Sequence, residues 1–210
     1  MSAAQHDSEA QGHAGAAQVH AAQYDQKARA ASSACAPPLG TEAAGVCWTS
    51  VQNPTAKHLR AAEAHRAEAA RHRAASAALH DAEASACAGI AEQDRDMSPF
   101  EHVEDIASVE PLPAGAGRTA GAIVTFRSVG GLTSDGLQRL IDCHLARNAA
   151  RGHVATEMPN CPLVPKGIST NVSSTGDGLV VSIRAADDAT AREVFARAER
   201  LRLELAPPTR

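Results

Sequence analysis

One arrangement of residues occurs twice in the second half of this chain, and it constrains the fold more tightly than any single motif. From Gly121 to Cys161 the chain reads GAIVTFRSVGGLTSDGLQRLIDCHLARNAARGHVATEMPNC. The pattern predicts a strand over Ala122 to Val129, a turn at Gly130 and Gly131, and a helix from Thr133 to Arg151 that Gly152 ends. From Gly178 the chain reads GLVVSIRAADDATAREVFARAERLR, which aligns with the first stretch without gaps 57 residues on. Gly121 matches Gly178, Val124 matches Val181, Arg127 matches Arg184 and Thr133 matches Thr190. The expectation is a duplicated strand-helix unit.

Two further strands complete the pattern, one from Val103 to Leu112 and one from Ile168 to Ser174. The second of these pairs with Leu179 to Ala185 about the turn Thr175-Gly176-Asp177-Gly178. A last helix is expected from Asp188 to Leu205. The order strand, strand, helix, strand, strand, helix predicts an α+β fold. It is a two-layer ββαββα domain over 103–206, with a four-stranded antiparallel sheet and both helices on one face.

The first half reads differently. Residues 1–34 form a flexible or helical segment in which His6, His13 and His20 recur every seven residues. Gly12, Gly15 and the lack of large apolar side chains favour a mobile tail. Residues 35–52 form a loop bracketed by Cys35 and Cys47, whose prolines and glycines suit closure by a disulfide. Residues 53–89 are one long Ala-rich helix, with Asn53 as N-cap, Pro54 in the first turn and Gly89 as stop. Fifteen alanines between Thr55 and Ala88 let it approach a neighbour closely, so it either docks a partner, self-associates, or forms a helical hairpin with the segment before it. Residues 90–102 are an acidic linker.

Composition closes off several functions. A net charge of −4, a pI near 6.2 and 2% aromatic residues offer neither a basic surface nor a stacking platform for nucleic acid. No apolar run is long enough to span a membrane. No hydrolase, zincin, phosphate-loop or dinucleotide motif appears, so the expectation leans away from an enzyme. Five cysteines without a C-x-x-C fit an oxidising compartment with two bridges and one thiol left over. Cys143 has two candidate partners, Cys87 and Cys161. The first residues carry no basic and apolar leader, and are expected to be the start of a mature exported protein fitted with an initiator Met, periplasmic or secreted, with a cytoplasmic start as the alternative.

The candidate site rests on one substitution in the pattern. Leu137, Leu140, Ile141, His144, Leu145 and Asn148 share the core-facing stripe of their helix, and in the alignment His144 and Asn148 stand opposite Leu201 and Leu205. A buried imidazole without a partner costs about 1 to 3 kcal/mol, so His144 needs one. That partner is either Asn148, as a polar pair in the core, or a bound metal. His153, Met158 and Cys161 follow, in a loop containing Pro159, Pro162 and Pro165. Imidazole, thioether and thiolate form a soft donor set that suits a copper ion, with zinc as the alternative. His102 and the face carrying His65, Glu68 and His72 are secondary ligands. His65 and His72 lie two turns apart, about 10.5 Å along the axis, so a second element has to complete any site there. The expected function is an exported copper carrier or buffer whose affinity falls below about pH 6.5. The competing expectation is a structural or interaction protein of the cell envelope that acts through the 53–89 helix.

Overall fold

The computed structural model describes residues 1–36, 45–154 and 158–204. The chain divides into two compact units, Gln5–Ala75 and Met1–Ala4 with Ser76–Arg210.

In the unit Gln5–Ala75, α1 (Ala3–Gln23) and α2 (Ala56–Ala86) contribute the parts of their length that fall in this range. Of the two states expected for residues 1–34, flexible or helical, the segment Ala3–Gln23 takes the helical one. The reason is a shared seam that neither helix shows alone. Ala10 and Ala17 on α1, and Ala62 and Ala69 on α2, are buried at intervals of seven, and the histidines also recur every seven. A strict seven-residue repeat is the signature of two helices wound against each other, and alanine lets their backbones come close. Gly12 and Gly15 face open space, where each lowers helix stability by about 1 kcal/mol without obstructing the contact.

Between the helices in the chain, where the sequence predicts a loop, lies a pair of antiparallel strands. Strand β1 (Ala30–Ala36) pairs antiparallel with β2 (Val46–Gln52), and Cys35 faces Cys47 across it in a disulfide. Residues 37–44 of the expected Cys-bracketed loop lie outside the described residues. The base of the strand pair is closed by side chains: Asn53 Nδ2 donates to the Asp25 carbonyl at 2.7 Å, and the Asp25 N–H donates to Thr55 Oγ1 at 3.0 Å.

The other unit holds the two-layer domain. Strands β3 (Ile106–Pro113), β4 (Thr119–Arg127), β5 (Ile168–Thr175) and β6 (Gly178–Ala185) form one antiparallel sheet in the order β3-β4-β6-β5. Pro111 and Pro113 lack the N–H of a central strand, which confines β3 to an edge. Val124, Phe126, Leu179, Val181 and Ile183 point to one face. There they bury against Leu137 and Ile141 of α3 (Ser134–Arg151) and Val194, Ala198 and Leu201 of α4 (Asp188–Glu204). Residues at alternate positions, such as Thr125 and Ser182, are half-buried on the opposite face.

One pair of positions matched in sequence, Val124 and Val181, meets in the sheet. Val124 pairs with Val181, Gly121 with Arg184, and Gly178 with Arg127, so β4 and β6 are related about the Val124–Val181 pair. The two matched glycines do the same work: a Cβ on Gly121 would stand 1.9 Å from the Ile183 carbonyl oxygen, and one on Gly178 would stand 1.9 Å from that of Phe126. Leu205, aligned opposite Asn148, lies outside the described residues, as does the expected domain end at 206.

The open cysteine pairing resolves to Cys87–Cys143, which joins the end of α2 to α3. Cys161 is a free, buried thiol. Around the disulfide, Arg147 of α3 pairs with Glu83 at 2.8 Å and also with Asp96, which Arg151 reaches at 2.8 Å. These two guanidinium groups hold the Asp96 carboxyl below its usual range.

Candidate functional site

The α3 helix places His144 because its ends are well defined. Thr133 Oγ1 accepts from the Gly136 N–H at 3.0 Å, and Gly152 closes the other end with a φ of 83°. This sets Leu137, Ile141, His144 and Asn148 toward the core, where His144 is 3% exposed.

The segment carrying Cys161 is fastened from two sides. On the α3 side, Asn148 Nδ2 donates to the Leu163 carbonyl at 3.4 Å, and His153 Nδ1 donates to the Val164 carbonyl at 2.8 Å. On the α4 side, Arg197 donates to the carbonyls of Met158 at 3.3 Å and Pro159 at 3.1 Å. Asn148 and His153 thus hold backbone, and His153 does so from a left-handed conformation with φ 58°. Burial lowers the His153 pKa, opposed by its bond to Val164.

Held in this way, Cys161 Sγ lies 3.6 Å from His144 Nε2 and 3.6 Å from Ser98 Oγ. Ser98 Oγ accepts from the Phe100 N–H at 3.3 Å, which leaves the serine hydrogen for the sulfur. Burial drives the two titrating groups apart. Desolvation, aided by Arg147 and Arg151, pushes His144 down to about 4, and desolvation raises the Cys161 thiol. A neutral thiol therefore stands beside a neutral imidazole, whose tautomer sets which of the two donates. A nucleophilic cysteine needs the opposite arrangement, a thiolate beside a cation. The same imidazole stays neutral well below pH 6.5.

A cavity of about 270 Å³ reaches the thiol, lined by Ser98, Phe100, Met158, Cys161 and Leu201 among others. Met158 packs against the core at its edge. Of the expected donors, the structure brings His144 and Cys161 into contact and sets Met158 on the same cavity as Cys161. His153 spends Nδ1 on a carbonyl.

His102 stands elsewhere in the same unit, with Nδ1 3.4 Å from Glu104 Oε1. With Asp105 it forms the one group of three or more His, Cys, Asp or Glu donors within 4.8 Å of one another among the described residues. His102 and Glu104 are exposed. The sequence reading named His102 without its neighbours, although His-Val-Glu-Asp is written contiguously. His102 and Asp105 also line a mainly apolar cavity of about 250 Å³ with Met97, Phe126, Leu132 and Leu137.

The histidines of α2 meet those of α1. His72 Nδ1 lies 3.0 Å from His6 Nδ1, His65 Nδ1 lies 3.0 Å from His13 Nδ1, and His58 Nδ1 lies 3.2 Å from His20 Nδ1. The element that stands beside His65 and His72 is therefore α1. Glu68 is instead paired with Arg71 at 2.6 Å. The signal for this arrangement is present in the sequence as two seven-residue repeats, His6, His13, His20 and His58, His65, His72.

No protein-family model, no curated protein and no solved structure matches this chain. Among the described residues no helix is long and apolar enough to cross a membrane.

Proposed function

We propose that this protein is a copper-binding protein of an oxidising compartment, a carrier or buffer that takes Cu(I) at Cys161 and His144. The observation that carries this reading is the 3.6 Å separation of Cys161 Sγ and His144 Nε2. A sulfur about 2.3 Å and a nitrogen about 2.0 Å from one ion stand about 3.5 to 3.8 Å apart at tetrahedral to trigonal angles. Thiolate with imidazole is a donor pair that favours a soft monovalent ion, and the thioether of Met158 beside the cavity is a third donor of the same character. The ion replaces the thiol proton, and the imidazole is already neutral. Two disulfides support an oxidising compartment, where such bonds persist.

The test is a Cu(I) titration of the full chain against a chromophoric competing ligand. Wild type is expected to bind one ion that Cys161→Ser and His144→Leu each release, with affinity lower by at least tenfold. Equal affinity and stoichiometry in both variants would sink the reading.

A further inference from the structure

The cross-helix histidines of α1 and α2 form an unbroken file of rings. In spatial order it runs His6, His72, His13, His65, His20, His58, with successive ring centroids 5.2, 5.7, 5.3, 5.6 and 5.5 Å apart. Every second step is a pair whose Nδ1 atoms face each other at 3.0 to 3.2 Å. The steps between are stacked, with interplanar angles of 20° and 9°.

We propose that this file is a further metal site, for borderline divalent ions such as Zn2+, one ion held between the two Nδ1 atoms of each pair. Two imidazole nitrogens bound to one ion at about 2.0 to 2.1 Å stand about 2.9 to 3.4 Å apart for angles of about 90 to 110°. All three pairs fall in that range without movement of either helix. The donors are all imidazole nitrogen, which suits zinc, nickel or oxidised copper, where the Cys161 pair suits a soft monovalent ion. The inference therefore does not rest on the Cys161 reading.

The proton inventory also permits binding. In a metal-free neutral pair one Nδ1–H donates to the other Nδ1, so the two rings are opposite tautomers. When an ion takes both Nδ1 atoms, the donor ring moves its proton to Nε2 and no proton need be lost. All six rings are half-buried, so ions and water reach them from the sides of the seam. Two imidazoles leave coordination positions for water or an anion.

The seam also gains from an ion. Its buried residues are Ala10, Ala17, Ala62 and Ala69, whose small side chains remove little apolar area from water. An ion ligated from both helices favours the paired state over the separated one, so binding and helix pairing are linked.

The experiment uses the full chain stripped with chelator, titrated with Zn2+ by calorimetry and with Co2+ by its visible absorption. Wild type is expected to take up to three ions, and His13→Ala with His65→Ala to take one fewer. His80→Ala, which removes an exposed histidine of α2 outside the file, should match wild type, and so should Cys161→Ser. If the double alanine variant loses helix by circular dichroism, His65→Gln keeps a hydrogen-bonding partner for His13 and must lose the same ion. A stoichiometry unchanged in His65→Gln, or uptake by wild type no greater than by a variant with all six histidines replaced by alanine, would overturn the proposal.

Discussion

His144 illustrates how burial, more than any other factor, sets the behaviour of a side chain. Its pKa falls to about 4, mainly by desolvation and further by the charges of Arg147 and Arg151, with Asp96 opposing them. In an unfolded chain an imidazole titrates near 6.5. Between these values the unfolded state binds more protons than the folded one, so stability rises with pH and is lost as pH falls. Lowering the pH of the metal-free protein from 6.5 to 5 should cost about 2 kcal/mol from this residue. Urea unfolding at the two pH values checks it: His144→Leu should remove most of that difference, and an equal loss in both proteins would contradict it. Gly121 makes a steric argument at the same scale. Alanine there would press its Cβ to 1.9 Å from the Ile183 oxygen, with φ at 147°, so β4 and β6 must separate. The expected loss for Gly121→Ala is about 3 kcal/mol or more, seen as a lower unfolding midpoint. Gly178→Ala should show a loss of similar size if the two positions are equivalent.

Among the elements, α3 was legible almost to the residue because its signals are local. Thr133 caps one end, Gly152 adopts the left-handed turn at the other, and the apolar stripe between them has helical period. The strand pair β1–β2 was not legible, because its residues are exposed on both faces and carry no alternation of polar and apolar side chains. Helix α1, one of the two states expected for residues 1–34, carries no hydrophobic signal of its own. Its seam is built from alanine and histidine, which no hydrophobic pattern registers, and it becomes a buried face only when α2 lies against it. The Cys87–Cys143 disulfide acts at this scale too, since it joins the end of α2 to the middle of α3 across 56 residues of chain. A closed loop of that length is worth about 4 kcal/mol by the chain-entropy estimate. Replacing both cysteines by serine should lower the unfolding midpoint accordingly, measured by thermal denaturation monitored in the near ultraviolet. A change under about 1 kcal/mol would mean that the unfolded chain is already restrained there.

For the molecule as a whole, the two compact units answer to different physics. The unit with the sheet has a core of branched apolar residues, Val124, Val181, Ile183, Ile141 and Val194, and its strand and helix order could be read along the chain. The unit Gln5–Ala75 has almost no apolar side chain larger than alanine inside it. Pairing there depends on the burial of alanines and on imidazoles meeting in register. The sequence by itself determined the local elements of the sheet unit, the capping of α3, and the oddity of an imidazole on a core-facing stripe, because each follows from residues a few positions apart. Only the tertiary structure decided that Cys143 joins Cys87, that Cys161 meets His144, and that three histidines of α1 meet three of α2. Those partners lie 17 to 66 residues apart in the chain. A contact at such a distance is set by how whole elements pack, and no local pattern of side chains encodes it.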